Sequence, residues 1–294
     1  MAGARRQLRV EHVMGTTVSI DVRAPFIPRS ALEDAVAWFH DVDGHFSMYR
    51  ADSETSRLAA GTLRFEDASP DVRAMLTLAD TLRERTDGYF DARRHRPDGL
   101  PDPTGVVKGW SVDDAVAGLR LAGARNVQVA AGGDLFAAGE PEPGRPWRIG
   151  IRHPDLPHDT AAILEVSDLA VATSGLYERG GHIRDPHTGG VPTELRSLTV
   201  VGPTLALADA FATAGFAMGE RGIEWVGRQP GFGALGITRD DRAVWTPLIE
   251  SLRIPREDAA CSHAALSDGA LTGGNRTERL PQGAKTDDSS VHPG

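Results

Sequence analysis

Asp209 and Thr213 stand four residues apart in LALADAFATAGFAMG (205–219), so on a helix their oxygens rise from one face about a turn apart. A carboxylate and a hydroxyl, with waters and phosphate oxygens completing the shell, suit Mg2+, which seldom receives an all-protein cage. The pair also reads as an acidic helix start with a threonine bonded back to its own backbone. The surrounding alanines and phenylalanines favour the metal, since a polar pair in an apolar helix must be satisfied or exposed. Lys108, in TGVVKGWSVDD (104–114), precedes a helix that Ser111 and Asp114 would cap. Gly105 and Gly109 beside it would let backbone approach a ligand, and the ammonium could meet phosphate there. The spacing is not that of a P-loop, and an exposed loop lysine is the simpler reading.

Three further stretches offer polar groups. AAGGDLFAAGE (130–140) has glycines at 132, 133 and 139, which miss the G-x-G-x-x-G spacing of a dinucleotide fold; Gly-Gly-Asp between two strands makes a turn, with Asp134 available to a ligand's polar edge. ATSGLYERG (172–180) lacks the nucleophile elbow of a hydrolase, and Thr173 and Ser174 read either as phosphate donors or as ordinary turn residues. HIRDPHTGG (182–190) holds His182 and His187 five apart without the H-E-x-x-H pattern of zinc. Pro186 and the Thr-Gly-Gly turn order that loop, leaving its histidines as acid/base or ligand groups, or as structural ones.

These groups need a scaffold, and the local patterns outline one. LRVEHV (8–13) and TTVSIDV (16–22) flank Met14-Gly15 as a pair of strands. Helices are expected from Ser30, with Glu33 completing a capping box, and from Ser69 with Pro70 at the first position, ending before Asp87-Gly88. A third starts at Ser111 and ends at Gly123. RRHRPDGLPDPTG (93–105) reads as loop. NVQVAA, DLFAAG, WRIGIR, AAILEVSD, LAVATSG, SLTVVG, FGALGIT and AVWTPLI read as short strands, interrupted by a helix at about 205–219. Regular βαβ alternation is missing, so the class is α+β with mixed or antiparallel sheet packed with helices. Beyond residue 257 the chain is poor in large apolar residues, so 1–257 is expected to form the domain and 258–294 a disordered tail.

Bulk properties narrow the function. The chain has 294 residues, 40% of them hydrophobic, enough to bury a substantial core. A net charge of −9 argues against a general nucleic-acid binder. Of 32 basic residues only Lys108 and Lys285 are lysines, which singles out Lys108. Cys261 is the only cysteine, which excludes an internal disulfide and Cys-based zinc sites. With no signal-peptide pattern and no run of about 18 apolar residues, a cytoplasmic protein without membrane span is expected.

The order of the blocks adds what no single block carries. MGTTVSI (14–20), FSMYRADSETSRL (46–58), TDGYFDAR (86–93), VVKGWSVDDA (106–115), AAGGDLFAAG (130–139), ATSGLYER (172–179), HIRDPHTG (182–189) and ADAFATAGFAMG (208–219) together closely resemble the ApbE family of FAD:protein FMN transferases, over about residues 8–250. The resemblance implies a two-lobed, T-fold-related architecture. It also implies a Mg2+-dependent enzyme that cleaves FAD, passes FMN to a Ser or Thr hydroxyl of an acceptor flavoprotein and releases AMP. By the same resemblance His182 would lie against the flavin diphosphate and the reacting hydroxyl, and His182, Asp209 and Lys108 would be the catalytic groups. Asp209 and Thr213 match the family's metal block, with a backbone carbonyl near Thr104 to Val107, taken as Val107, as third ligand. Lys108 and Asp113 fall on the Lys-Gly-x-x-x-Asp block, and Met14, Tyr49, Asp134, Thr173 and Ser174 on blocks that line the FAD pocket. The segment between the Phe-Asp and Lys-Gly blocks is shorter than is usual in the family, and part of the flavin wall is expected to be missing or rebuilt. An FAD pyrophosphatase yielding FMN and AMP, or a non-enzymatic FAD-binding protein, are the competing readings. SDGALTGG (267–274) faintly resembles the family's acceptor segments, with Thr272 as the residue to watch.

Overall fold

The computed structural model describes residues 5–93, 102–156, 159–175, 183–255 and 276–280. It opens with a hairpin, β1 (Arg5–Val13) and β2 (Thr16–Ala24), whose two-residue turn holds Met14 at φ 55° and Gly15 at φ 68°. Positive φ at both central positions matches the right-handed twist of the flanking strands; glycine accepts it freely, whereas Met14 must be held there by its contacts. Three helices follow: α1 (Arg29–Phe46), α2 (Glu54–Ala59) and α3 (Pro70–Arg85). Ser69 caps α3, its Oγ accepting from Val72 N–H, with Pro70 at the first position as expected. Next come α4 (Thr104–Leu121), β3 (Val127–Ala131), β4 (Asp134–Ala138), β5 (Trp147–Arg152), β6 (Thr160–Val166), β7 (Leu169–Gly175) and β8 (Leu195–Gly202). The chain continues with α5 (Leu205–Met218), α6 (Glu220–Gly227), β9 (Gly233–Thr238), β10 (Arg242–Trp245), α7 (Pro247–Leu252) and β11 (Arg276–Arg279).

Among the described residues nine strands form one sheet in the order β1-β2-β3-β4-β7-β8-β9-β10-β11, every pairing antiparallel, and β5 pairs with β6 separately. Alternation along the central strands sends side chains into two cores. Phe136, Ala172, Val200 and Ala234 face a core shared with α1, α3, α4 and α5. Their neighbours Leu135, Val171, Val201 and Leu235 face a second core shared with the β5–β6 hairpin and α7. Two cores thus share one continuous sheet, and strands buried on both faces read as near-continuous apolar runs. No helix among the described residues is long and apolar enough to cross a membrane.

Four expectations are corrected here. Helix α1 begins at Arg29 after Pro28 with no side-chain cap, so Ser30 and Glu33 form no capping box, and Glu33 instead pairs with Arg29. AVWTPLI does not continue as a strand: Pro247 cannot donate to the ladder and starts α7. A second helix, α6, follows α5 with only Gly219 between. Within the tail, Arg276–Arg279 pair with β10 and Leu280 is buried, because β10 would otherwise leave an open edge next to the second core. Cys261, Thr272, Lys285 and the other tail positions lie outside the described residues, as does most of the shortened segment, 94–101.

Candidate active site

Helix α4 starts seven residues earlier than the cap pattern suggests. Thr104 N–H donates to Asp102 Oδ1 at 3.0 Å, and burial of Val106 and Val107 holds the first turn in place. Ser111 is therefore a mid-helix residue whose hydroxyl donates back to the Lys108 carbonyl at 2.8 Å. Lys108 projects from the second turn of a helix, not from a loop before one.

Its ammonium reaches across to two strand and helix carboxylates. Lys108 Nζ donates to Asp134 Oδ2, and it lies 3.2 Å from Asp209 Oδ2. Asp134, at the start of β4, also accepts Thr173 N–H at 2.9 Å through Oδ1. The Thr173 hydroxyl bonds the Thr199 hydroxyl at 2.9 Å, and Ser174 Oγ lies 3.3 Å from Thr213 Oγ1. Thr173 and Ser174 are strand residues on β7, so the turn reading is corrected. Burial disfavours the charged form of Lys108, but the Asp209 and Asp134 carboxylates outweigh it and hold the ammonium above the usual lysine range.

These groups fit a hard cation. Two carboxylates meet one ammonium, so the three side chains sum to one negative charge, set next to the Thr213 and Ser174 hydroxyls. Among the described residues no group of three His, Cys, Asp or Glu side chains converges, and the donor set on offer is the Asp209 and Asp134 carboxylates with the Thr213 and Ser174 hydroxyls. That set suits Mg2+ sharing its shell with substrate oxygens and does not suit zinc. Val107 precedes Lys108 in α4, its side chain buried in the core.

The remaining expected residues scatter. Met14 packs against the helix-side core, with Sδ 3.9 Å from Ser111 Oγ. Asp113 turns to the N-terminus of α5, accepting from Leu205 and Ala206 N–H; burial pushes its carboxyl up to about 6, with those two bonds opposing. Tyr49 stands fully exposed in the loop before α2. His182 lies outside the described residues. The rest of its loop is tightly tied: Asp185 accepts from His187 N–H at 2.8 Å and from the Thr188 hydroxyl at 3.0 Å, and Asp185 N–H donates to the Gly190 carbonyl at 2.9 Å. His187 Nε2 bonds the Asp87 carbonyl at 3.0 Å, and its ring lies 4.7 Å from that of Tyr89. The two blocks are a hundred residues apart in sequence, and His187 ties the loop to the Asp87–Tyr89 segment.

The model of the ApbE family matches residues 14–96 and 94–235. The chain belongs to the ApbE family. It is 25% identical to the FAD:protein FMN transferase of Vibrio cholerae over 75% of its own length and 85% of that protein. With the Haemophilus influenzae FAD:protein FMN transferase the figures are 24%, 75% and 84%. The solved flavin transferase ApbE from Vibrio cholerae shares the fold, with a TM-score of 0.73 at 24% identity over 85% of this chain and 99% of that one.

Within this ApbE scaffold, one participant escaped the sequence and another has a packing role that the sequence did not show. Thr199 supports Thr173 from β8; its signal was a hydroxyl set between Leu198 and Val200 in a buried strand, SLTVVG. Gly109 makes room for a helix. A Cβ there would come within 2.6 Å of Ala206 N and 2.7 Å of Leu205 C, so glycine lets α5 cross α4 backbone to backbone. Gly109→Ala is expected to destabilise the protein by about 2 kcal/mol, overpacking outweighing the gain in helix propensity. Urea unfolding checks it; a variant as stable as the parent would remove the close crossing from the argument.

Proposed function

We propose that this chain is a Mg2+-dependent FAD:protein FMN transferase that moves FMN from FAD to a Ser or Thr hydroxyl of an acceptor flavoprotein and releases AMP. The observation that supports it most is the convergence of Lys108, Asp134, Thr173, Ser174, Asp209 and Thr213, drawn from four separated blocks, onto one polar cluster. Relatives similar to this chain over most of their length bear that activity in their names. Asp209 and Thr213 would hold Mg2+, with a carbonyl near Val107 as third protein ligand. When bound, the ion would supply charge neutralisation on the diphosphate.

The chain's own groups account for the rest. Lys108 neutralises phosphate charge and keeps Asp134 and Asp209 at a fixed separation. Ser174, on the helix-facing side of β7, orients phosphate oxygens; Thr173, whose side chain points to the opposite face, enters through its amide, which steadies Asp134. Met14 and Tyr49 offer contact surface to the nucleotide. His182 takes the acceptor hydroxyl's proton as that oxygen attacks the FMN-side phosphorus. The bond to the AMP oxygen breaks as the new phosphoester forms.

Purified protein given FAD, Mg2+ and an acceptor is expected to release one AMP for each FMN placed on the acceptor, read by nucleotide chromatography and intact mass. Free FMN accumulating with AMP, without labelling, would instead establish a pyrophosphatase. FAD binding without either product would leave a flavin-binding protein. His182→Ala should slow transfer by about a hundredfold while FAD affinity stays similar. Equal loss of FAD binding would make His182 a ligand contact.

A further inference from the structure

Asp113 lies five residues beyond Lys108 on α4, yet both of its oxygens serve another helix. Oδ1 accepts Leu205 N–H at 2.8 Å and Oδ2 accepts Ala206 N–H at 3.0 Å. These are the first two amides of α5, donors that a helix cannot satisfy from within. The N-cap residue itself, Thr204, has extended backbone but makes no side-chain capping bond, and its buried Oγ1 has no hydrogen-bond partner among the described residues. The cap comes from α4 instead. Gly109, four residues before Asp113 and on the same face, leaves α5 room to approach.

We propose that Asp113 is a positioning residue that caps α5 from α4, setting Asp209 and Thr213 at the height of Lys108 and so tuning metal affinity without touching the flavin nucleotide. Asp209 stands four residues into α5, roughly 6 Å along its axis from the capped end, so a slip of the helix moves its carboxylate by the same amount. Two bonds from one carboxylate fix both the height and the rotation of that end, and the negative charge suits the positive pole of the helix. The Lys-Gly-x-x-x-Asp spacing then has a single mechanical meaning. Lysine supplies the counter-ion, glycine the crossing point, and aspartate the cap. The inference rests on Asp209 and Thr213 holding Mg2+, as proposed above.

The test uses the full chain with Asp113→Ala, Asp113→Asn and Asp209→Asn. Mg2+ is titrated calorimetrically into FAD-saturated protein without acceptor, FAD is titrated in EDTA, and amide hydrogen exchange is followed at 204–208. Asp113→Ala is expected to weaken Mg2+ binding about tenfold or more, as loss of a supporting contact behind a metal ligand typically does. It should also speed exchange at Leu205 and Ala206 at least tenfold, with metal-free FAD affinity within about twofold. Asp113→Asn, which keeps one of the two acceptor oxygens, should fall between the alanine variant and the parent in both Mg2+ affinity and exchange, and that paired change carries the test if the alanine variant fails to fold. Unchanged exchange with weaker metal-free FAD binding would overturn the proposal by making Asp113 a nucleotide contact. Faster exchange with unchanged Mg2+ affinity would overturn it by reducing the cap to a purely structural one. Failure of the underlying metal reading looks different: the parent takes up no Mg2+, or Asp209→Asn binds it equally well.

Discussion

Lys108→Met is expected to cost about 3 kcal/mol of stability and to abolish transfer. The ammonium lies between Asp134 and Asp209, whose side chains are 6% and 13% exposed. Removing one partner of a buried charge group leaves the others uncompensated, which typically costs about 3–5 kcal/mol; the lower figure applies because the Lys108 side chain itself retains 23% exposure. The methionine keeps the stem's apolar packing, so the loss reports charge and not volume. Stability should then become metal-sensitive, with saturating Mg2+ raising the melting temperature more in the variant than in the parent, since a cation at Asp209 restores part of the balance. Chemical unfolding with and without Mg2+ measures both. A variant within about 0.5 kcal/mol of the parent, unresponsive to Mg2+, would show that Lys108 is not the counter-ion of this cluster.

Asp209→Asn should do the reverse to stability while removing activity. It turns a group of two carboxylates and one ammonium into a balanced Lys108–Asp134 pair, so metal-free stability is expected to hold or rise by up to about 1 kcal/mol. Transfer should fall by about a thousandfold at a Mg2+ level that saturates the parent, because the asparagine keeps shape but loses the charge a hard cation needs. Raising Mg2+ should recover part of the rate, which separates a metal ligand from a group acting on substrate directly. The two variants thus have opposite stability signatures and the same catalytic outcome. Steady-state rates over a Mg2+ series, alongside melting temperatures in EDTA, decide it. Activity equal to the parent with an unchanged metal response would take Asp209 out of the site.

Hairpins and periodic helices were legible from the sequence because their signals are local. Met14-Gly15 between alternating runs gave a two-residue hairpin, and Ser69-Pro70 gave a helix start, each confirmed at its position. The Ser111 cap pattern misled because an S-x-x-D spacing is cheap to produce by chance, while burial of Val106 and Val107 extended the helix upstream. AVWTPLI misled because a continuous apolar run has no period, and only Pro247 broke it.

What the sequence determined by itself was the list of groups: a carboxylate–hydroxyl pair one helical turn apart, a nearly unique lysine, and ordered blocks that carried the family. Each of these depends on spacing within a few residues or on order along the chain, which a linear text preserves. Tertiary structure alone decided who meets whom. Lys108 and Asp134 are 26 residues apart, Asp134 and Thr173 39, and Asp113 and Leu205 92, and no local rule fixes such pairs. They are set by the antiparallel register that places β4 next to β7 and by the backbone crossing of α4 and α5 at Gly109. Those in turn follow from burying two apolar faces of one sheet at once, a global condition. That condition set the Asp113 carboxylate against the end of the helix that carries Asp209 and Thr213.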